Sequence, residues 1–347
     1  MQREEIYAAL PGALLPWYAS HARDLPWRRD REPYHVWLSE IMLQQTRVEA
    51  ARGYYLRFLD AFPTLRDLAA ADEARLLKLW EGLGYYSRAR NLQKAARVLC
   101  DEYGGVFPDT REALEGLPGV GPYTAGAVAS ICFERPCAAV DGNVLRVLSR
   151  LTADGAPVDL PATRADIAAR LESVYPAGAC GAFTQALMEL GAVVCTPKSP
   201  KCGLCPANDF CLAAARGETA RYPVRLPKRE KRTEKRTVLL LECEGRFAVE
   251  RRSASGLLAG LWQLPNLTGE RTADEAMSEA AALETQPAQL CRELRRTHVF
   301  THIRWEMVCY HIRCQCAPPR FVWASPAELR ETYALPTAFR IFLEGEI

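Results

Sequence analysis

The chain has 347 residues, of which 49% are apolar and 25% charged, with a net charge of +2, so about two domains with a sizeable core are expected and wholesale disorder is excluded. No apolar run reaches the roughly 18 residues a membrane span needs. Residues 1–15 carry Arg3, Glu4 and Glu5 and are broken by Pro11 and Gly12, unlike a secretory signal; a cytoplasmic setting with no membrane partner is expected, and the near-neutral charge still leaves room for one basic, nucleic-acid-binding face.

Residues 30 to about 195 read as helix after helix. Thr46-x-x-Glu49 forms a capping box that predicts a helix to about Ala61. Ser87 is a candidate cap for a helix from Arg88 to about Tyr103, ended by Gly104-Gly105, with Leu92, Ala95, Ala96 and Leu99 at helical spacing. Further helices are predicted at 111–116, 122–132, 142–151, 162–174 and 179–193. The segment 217–236, basic from Arg221 onward and holding two prolines, reads as a linker. Beyond it, 238–243 and 246–250 flank Glu244-Gly245 as a hairpin. Strands at 288–298, 303–314 and 320–324 and helices at 273–284 and 336–344 complete a mixed α/β domain. No internal repeat is found. Gly119-Val-Gly121 fails the dinucleotide fingerprint because Thr124 holds the third glycine place.

Cys195, Cys202, Cys205 and Cys211 give C-x6-C-x2-C-x5-C, a bunching that favours one metal centre over four unrelated thiols. A zinc ribbon brings two C-x2-C knuckles where this chain has one, so an iron–sulfur cube suits the spacing better. Lys198 and Lys201 lie in the first loop; each reads equally as a phosphate contact or a solvated side chain. The other nine cysteines, Cys132 and Cys309 among them, read as small buried hydrophobes.

Leu117-Pro-Gly-Val-Gly-Pro-Tyr-Thr124 joins two helices. Gly119 and Gly121 permit a tight turn and close approach, and Pro122 suits a first helical position. The backbone N–H groups that follow can hold a phosphate without any side chain.

Hydrolysis of an N-glycosidic bond needs an acid for the departing base and an anion beside the oxocarbenium-like sugar. Glu40 stands among Trp37, Ile41 and Met42, and an acid in apolar surroundings has its pKa raised. Asp141 opens Asp-Gly-Asn143-Val-Leu-Arg as an N-cap, and a capping carboxylate stays ionised. Composition alone does not single out these two.

The motifs do. W-L-S-E-I-M-L-Q-Q-T, L-P-G-V-G-P-Y-T-A-G and V-D-G-N-V, with the cysteine spacing and Leu25-Pro-Trp-Arg28, resemble the MutY family of adenine DNA glycosylases in the endonuclease III, helix-hairpin-helix superfamily. The resemblance implies a mainly α glycosylase domain (1–216) with its hairpin near 111–132 and a 4Fe–4S cluster on the four cysteines. It also implies a linker (217–236) and a smaller, Nudix-like α/β recognition domain (237–347). It assigns catalysis to Glu40 and Asp141, helped by Tyr123 and Asn143, and DNA contacts to Gln45, Tyr85, Arg88, Gly119, Gly121, Lys198 and Lys201. Tyr123 stands where bifunctional relatives carry the imine-forming lysine, and Leu145 where some relatives have another lysine. The helix at 273–284 lacks the R-E-x-x-E-E core of a working Nudix enzyme. Phe300-Thr301-His302 stands where the family reads oxidised guanine with Phe-Ser-His; read without the family, it is an ordinary strand turn. The implied substrate is double-stranded DNA with adenine opposite 8-oxoguanine or guanine, bound by a monomer. A thymine or pyrimidine glycosylase and a non-catalytic iron–sulfur DNA-binding or redox protein are the rival readings.

Overall fold

In the computed structural model, which describes residues 2–227 and 230–345, the chain opens on a helix the sequence reading missed, α1 (Arg3–His21). Ile6, Leu10 and Leu14 form a buried stripe at i, i+4, i+8. Burying each such side chain contributes roughly 1.5–3 kcal/mol, enough to offset an interior proline such as Pro11 or Pro16, at about 3 kcal/mol. Then follow α2 (Pro33–Leu43), α3 (Val48–Ala61), α4 (Leu65–Ala70), α5 (Glu73–Leu79), α6 (Ser87–Glu102), α7 (Arg111–Glu115), α8 (Pro122–Phe133), α9 (Gly142–Thr152), α10 (Pro161–Glu172), α11 (Cys180–Glu189) and α12 (Leu212–Ala215).

Two caps differ from expectation. The N-cap of α3 is Arg47, with no side-chain bond, so Thr46 and Glu49 form no capping box. Gln45 takes a left-handed φ of 59° just before, and the chain turns there, with Thr46 N–H on the Leu43 carbonyl at 3.2 Å. Ser87 lies inside α6 as its first residue instead of preceding it.

The second half holds β1 (Arg232–Cys243), β2 (Arg246–Arg251), β3 (Trp262–Gln263), β4 (Asn266–Thr268), α13 (Ala273–Ala282), β5 (Pro287–Val299), β6 (Ile303–Cys314), β7 (Val322–Ala324), α14 (Pro326–Glu331) and α15 (Thr337–Arg340). The sheet runs β3-β2-β1-β6-β5, with β4 on β1 and β7 on β2; β1 and β6 are parallel. Alternate residues of β1 and β6 feed two cores, one around Trp305 and Phe339, the other around Tyr310 and α13.

The end of the expected linker is strand. Residues 232–236 pair with 303–307, because the charged run has a period-two face: Trp305 Nε1 donates to Glu234 Oε2 at 3.0 Å, and the Arg236 guanidinium lies 4.3 Å from the Trp305 ring. Upstream, Val158 N–H bonds the Val224 carbonyl at 3.0 Å, so that end is tied down too. Lys228 and Arg229 lie outside the described residues. The helix expected at 336–344 is helical only over Thr337–Arg340. Cys291, expected to be buried, is exposed because β5 is an edge strand with little covering it.

The chain divides into two units, Met1–Ala70 with Asn91–Pro227 and Ala71–Arg90 with Lys228–Ile347, the cut falling within the first turn of α6. No helix of the described residues is long and apolar enough to cross a membrane.

Candidate active site and cysteine cavity

A cleft of about 800 Å³ in the first unit brings together Glu40, Gln45, Tyr123, Asp141 and Asn143. Glu40 belongs to α2, a helix buried on nearly every face from Tyr34 to Met42, and is itself only 5% exposed. Burial raises its pKa to about 7; the hydrogen bond from Tyr123 pulls the other way, and the Asp141 charge adds to the rise. Tyr123, in the first turn of α8, donates its hydroxyl to Glu40 Oε2 in a short bond, and burial holds the phenol well above its usual range.

Asp141 caps α9. Its Oδ1 accepts from the N–H groups of Asn143 (2.9 Å) and Val144 (2.7 Å), and its Oδ2 accepts from Asn143 Nδ2 at 2.7 Å. Burial raises its pKa from the ordinary aspartate value, and these bonds act against that rise. Asn143 is held in turn by Arg146, whose Nη2 donates to Asn143 Oδ1 at 2.9 Å and to the Gly191 carbonyl at 2.7 Å. A side chain on Gly191 would meet Asn143 Cβ at 2.6 Å, so glycine is what lets this carbonyl come close. Gly191 sits in a π-turn at residues 190–194 that ends α11, a distortion common at functional sites.

Other lining residues escaped the sequence reading. Glu189 is fully buried and accepts from Arg23 Nε (2.6 Å), Arg23 Nη2 (2.8 Å) and Arg28 Nη2 (2.8 Å). Burial pushes its pKa up, but the two guanidiniums outweigh it and the net direction is down. Glu189 follows Met188 and precedes Leu190, the same lone-acid signal that marks Glu40, and its partner Arg28 closes the Leu25-Pro-Trp-Arg28 motif. Gln185, Arg164 and Arg225 also line the cleft.

The hairpin residues lie elsewhere in this unit. Gly119 takes φ +77°, and a Cβ there would meet Asn91 Cβ at 2.6 Å. Gly121, at φ −104°, needs no such freedom; it is the N-cap of α8, whose first turn has no side-chain cap and so presents free N–H groups.

Cys195, Cys202, Cys205 and Cys211 line one narrow cavity. Arg150, 2% exposed, sends Nη1 to Cys195 Sγ at 3.3 Å and to the Thr196 carbonyl at 2.7 Å, and Nη2 to the Pro197 carbonyl at 3.0 Å. Arg146 Nε bonds the Cys195 carbonyl at 2.8 Å. Lys198 and Lys201 are exposed on this loop. Among the described residues no three His, Cys, Asp or Glu side chains stand as a ready-made set for a single metal ion.

Tyr85, Arg88, Phe300, Thr301 and His302 belong to the second unit. Thr301 and His302 are exposed at the tip of the β5–β6 hairpin, closed by the Phe300 N–H on the Ile303 carbonyl at 2.8 Å. Phe300 packs edge-on against Trp305 and His298. Tyr85, 43% exposed at a left-handed φ of 47°, shares a 2.8 Å hydrogen bond with the Thr301 hydroxyl. Arg88, expected on DNA, turns Nη2 onto the carbonyls of Leu83 (3.1 Å) and Gly84 (3.2 Å) and braces the turn that carries Tyr85.

Residues 38–172 match the model of the HhH-GPD superfamily of base excision DNA repair proteins, and 236–345 match a NUDIX domain. An adenine DNA glycosylase from Homo sapiens is 35% identical over 96% of this chain and 73% of its own. One from Schizosaccharomyces pombe is 32% identical over 91% and 85%. Among solved structures, a thermostable thymine-DNA glycosylase (30% identity, TM-score 0.55) covers 62% of this chain with 97% of its own. An endonuclease III–DNA complex (25%, TM-score 0.53) covers 62% with 98%.

Proposed function

The chain belongs to the adenine DNA glycosylases, hydrolytic enzymes of base excision repair that act on DNA, and from that premise we propose how its own residues remove the base and which mispair it prefers. The base must leave the stack, since its glycosidic bond is unreachable inside a duplex. Glu40, protonated near neutral pH, donates to the leaving adenine, with Tyr123 holding the carboxyl in place. Asp141 faces the developing sugar cation, and Asn143 and the first turn of α9 keep its carboxylate oriented. The observation that carries this reading is a buried carboxyl, held by Tyr123, in the same cleft as a capped carboxylate; burial pushes the first up to about 7. Gln185 offers an amide along the cleft for the edge of the base.

Among the described residues no lysine lines the cleft, and Tyr123 has no amine for an imine; the route read here is hydrolytic, with water completing the reaction. Duplexes with adenine opposite 8-oxoguanine, guanine and thymine are the test. Adenine is expected to leave from the first two, and the strand to break only after alkali. Direct breakage with a borohydride-trapped complex would refute the hydrolytic route.

By donor chemistry the four cysteines suit a 4Fe–4S cluster: all four line one cavity, and the buried Arg150 guanidinium, on Cys195 Sγ, suits an anionic iron–sulfur centre. When bound, such a cluster cross-links residues 195–211 and supplies a redox-active iron centre; the acid–base chemistry stays with Glu40 and Asp141.

The second unit reads the opposite base. Thr301 and His302 are exposed at the tip of a hairpin, and Tyr85 shares its hydroxyl with Thr301, so the second unit sets a wedge and a polar reader side by side. Thr301→Val keeps the size and removes the hydroxyl. It is expected to reduce the preference for 8-oxoguanine over guanine by on the order of 1 kcal/mol, read as the ratio of single-turnover rates and affinities on the two mispairs. An unchanged ratio would remove Thr301 from lesion recognition.

A further inference from the structure

Among the described residues four arginines line the active cleft, and they are not alike. Arg23 and Arg28 are bound to the buried Glu189. Arg164 is exposed, gives only Nε to the Val158 carbonyl at 2.9 Å, and has no ion-pair partner among the described residues. Arg225 is half exposed and meets Asp159 Oδ1 at 3.0 Å.

Both are held by one local clamp. Val158 N–H bonds the Val224 carbonyl, and Leu226 N–H bonds Asp159 Oδ2 at 3.1 Å, so residues 158–160 and 224–226 lie side by side. The clamp also leads into α10, whose N-cap Leu160 gives no side-chain cap and whose first residue, Pro161, has no N–H. The exposed first turn keeps its uncapped N–H groups and the positive end of the helix dipole. Two guanidiniums thus line the cleft that holds Glu40 and Asp141, and one of them, Arg164, stands in the first turn of a helix with an open start. That is chemistry for a phosphate group, bound at the mouth of a site whose floor handles a nucleoside.

We propose that Arg164 and Arg225 grip a backbone phosphate of the strand that carries the extruded nucleotide, an inference that rests on the glycosylase reading above. Extruding a base rotates its backbone, and a phosphate held beside the cleft fixes the strand while the sugar turns inward. The segment around Arg225 is therefore part of the DNA-binding surface and not a spacer.

The test is duplex binding measured across a salt series for wild type, Arg164→Gln, Arg225→Gln, Arg225→Lys and Asp159→Asn. Each arginine-to-glutamine change is expected to lower the slope of log K against log salt by about 0.9, as for the loss of one phosphate contact. Arg225→Lys should keep the slope. Single-turnover adenine release at saturating enzyme should fall in both glutamine variants, because the strand is no longer held while the nucleotide turns inward. Asp159→Asn removes the same ion pair but not the cation, so its slope should match wild type; a slope as low as that of Arg225→Gln would make Arg225 a purely structural brace and overturn the proposal. So would unchanged slopes in both glutamine variants with adenine release intact. A wild-type protein that releases no adenine overturns the function itself, and this inference with it.

Discussion

Glu40→Gln is expected to cut adenine release by about 10²–10⁴-fold or more while duplex binding survives, since the amide keeps the shape and cannot donate the proton. The pH dependence gives an independent check. The reaction needs Glu40 protonated, so the rate holds at lower pH and falls as pH rises through about 7. On the acid side it needs Asp141 ionised, so the rate falls again as pH drops through an Asp141 pKa lying above the ordinary aspartate value. The variant also carries its own folding control. Burial raises the pKa of Glu40, so the native state favours the neutral acid. The stability this confers is full below the ordinary glutamate value and is lost as pH climbs to about 7. Glutamine stays neutral throughout, so about one pH unit above that midpoint the variant should unfold at a temperature no lower than wild type. Near-wild-type adenine release by Glu40→Gln would remove the acid from the mechanism.

The helices flanking the cleft were readable from apolar period and from caps: Asp141 caps α9 as its sequence suggests, and Pro122 begins α8. The first helix was not. Pro11-Gly12 reads as a break, and only the tertiary burial of Ile6, Leu10 and Leu14 carries the helix through it. The strand at 232–236 was hidden for a related reason. Its polar residues look solvated until Trp305, about seventy positions away, supplies a ring and an indole N–H for Arg236 and Glu234. The cleft shows the same limit. Glu40 and Asp141 were picked from 42 acids by motif and not by physics. Glu189, Arg146 and Arg225 carry no such motif signal, because what marks each is a partner distant in sequence: Arg23 for Glu189, Gly191 for Arg146, and Asp159 for Arg225.

Those distant partners set the expectation for the cysteines. Cys202→Ala should yield protein without the yellow-brown colour and well below about four irons per chain, with a lowered unfolding temperature and reduced DNA binding and adenine release. The loop from 195 to 211 has little regular structure of its own, only the short turns Cys202–Leu204 and Asn208–Phe210, so its order depends on what ties it together. Its carbonyls at 195, 196 and 197 receive the buried guanidiniums of Arg146 and Arg150. When the loop loosens, those cations lose acceptors in a dry setting, at a cost on the order of 1–3 kcal/mol for each bond left unmade. Arg146 is also the donor that fixes Asn143, which fixes Asp141. The damage therefore reaches the sugar-facing carboxylate without any change in the cleft itself. Arg146→Leu separates the two effects. It leaves all four thiols, so iron content and colour should stay at wild-type levels, while single-turnover adenine release falls because Asn143 is no longer held. A Cys202→Ala protein with full iron, or an Arg146→Leu protein with an unchanged rate, would break this chain at the corresponding link.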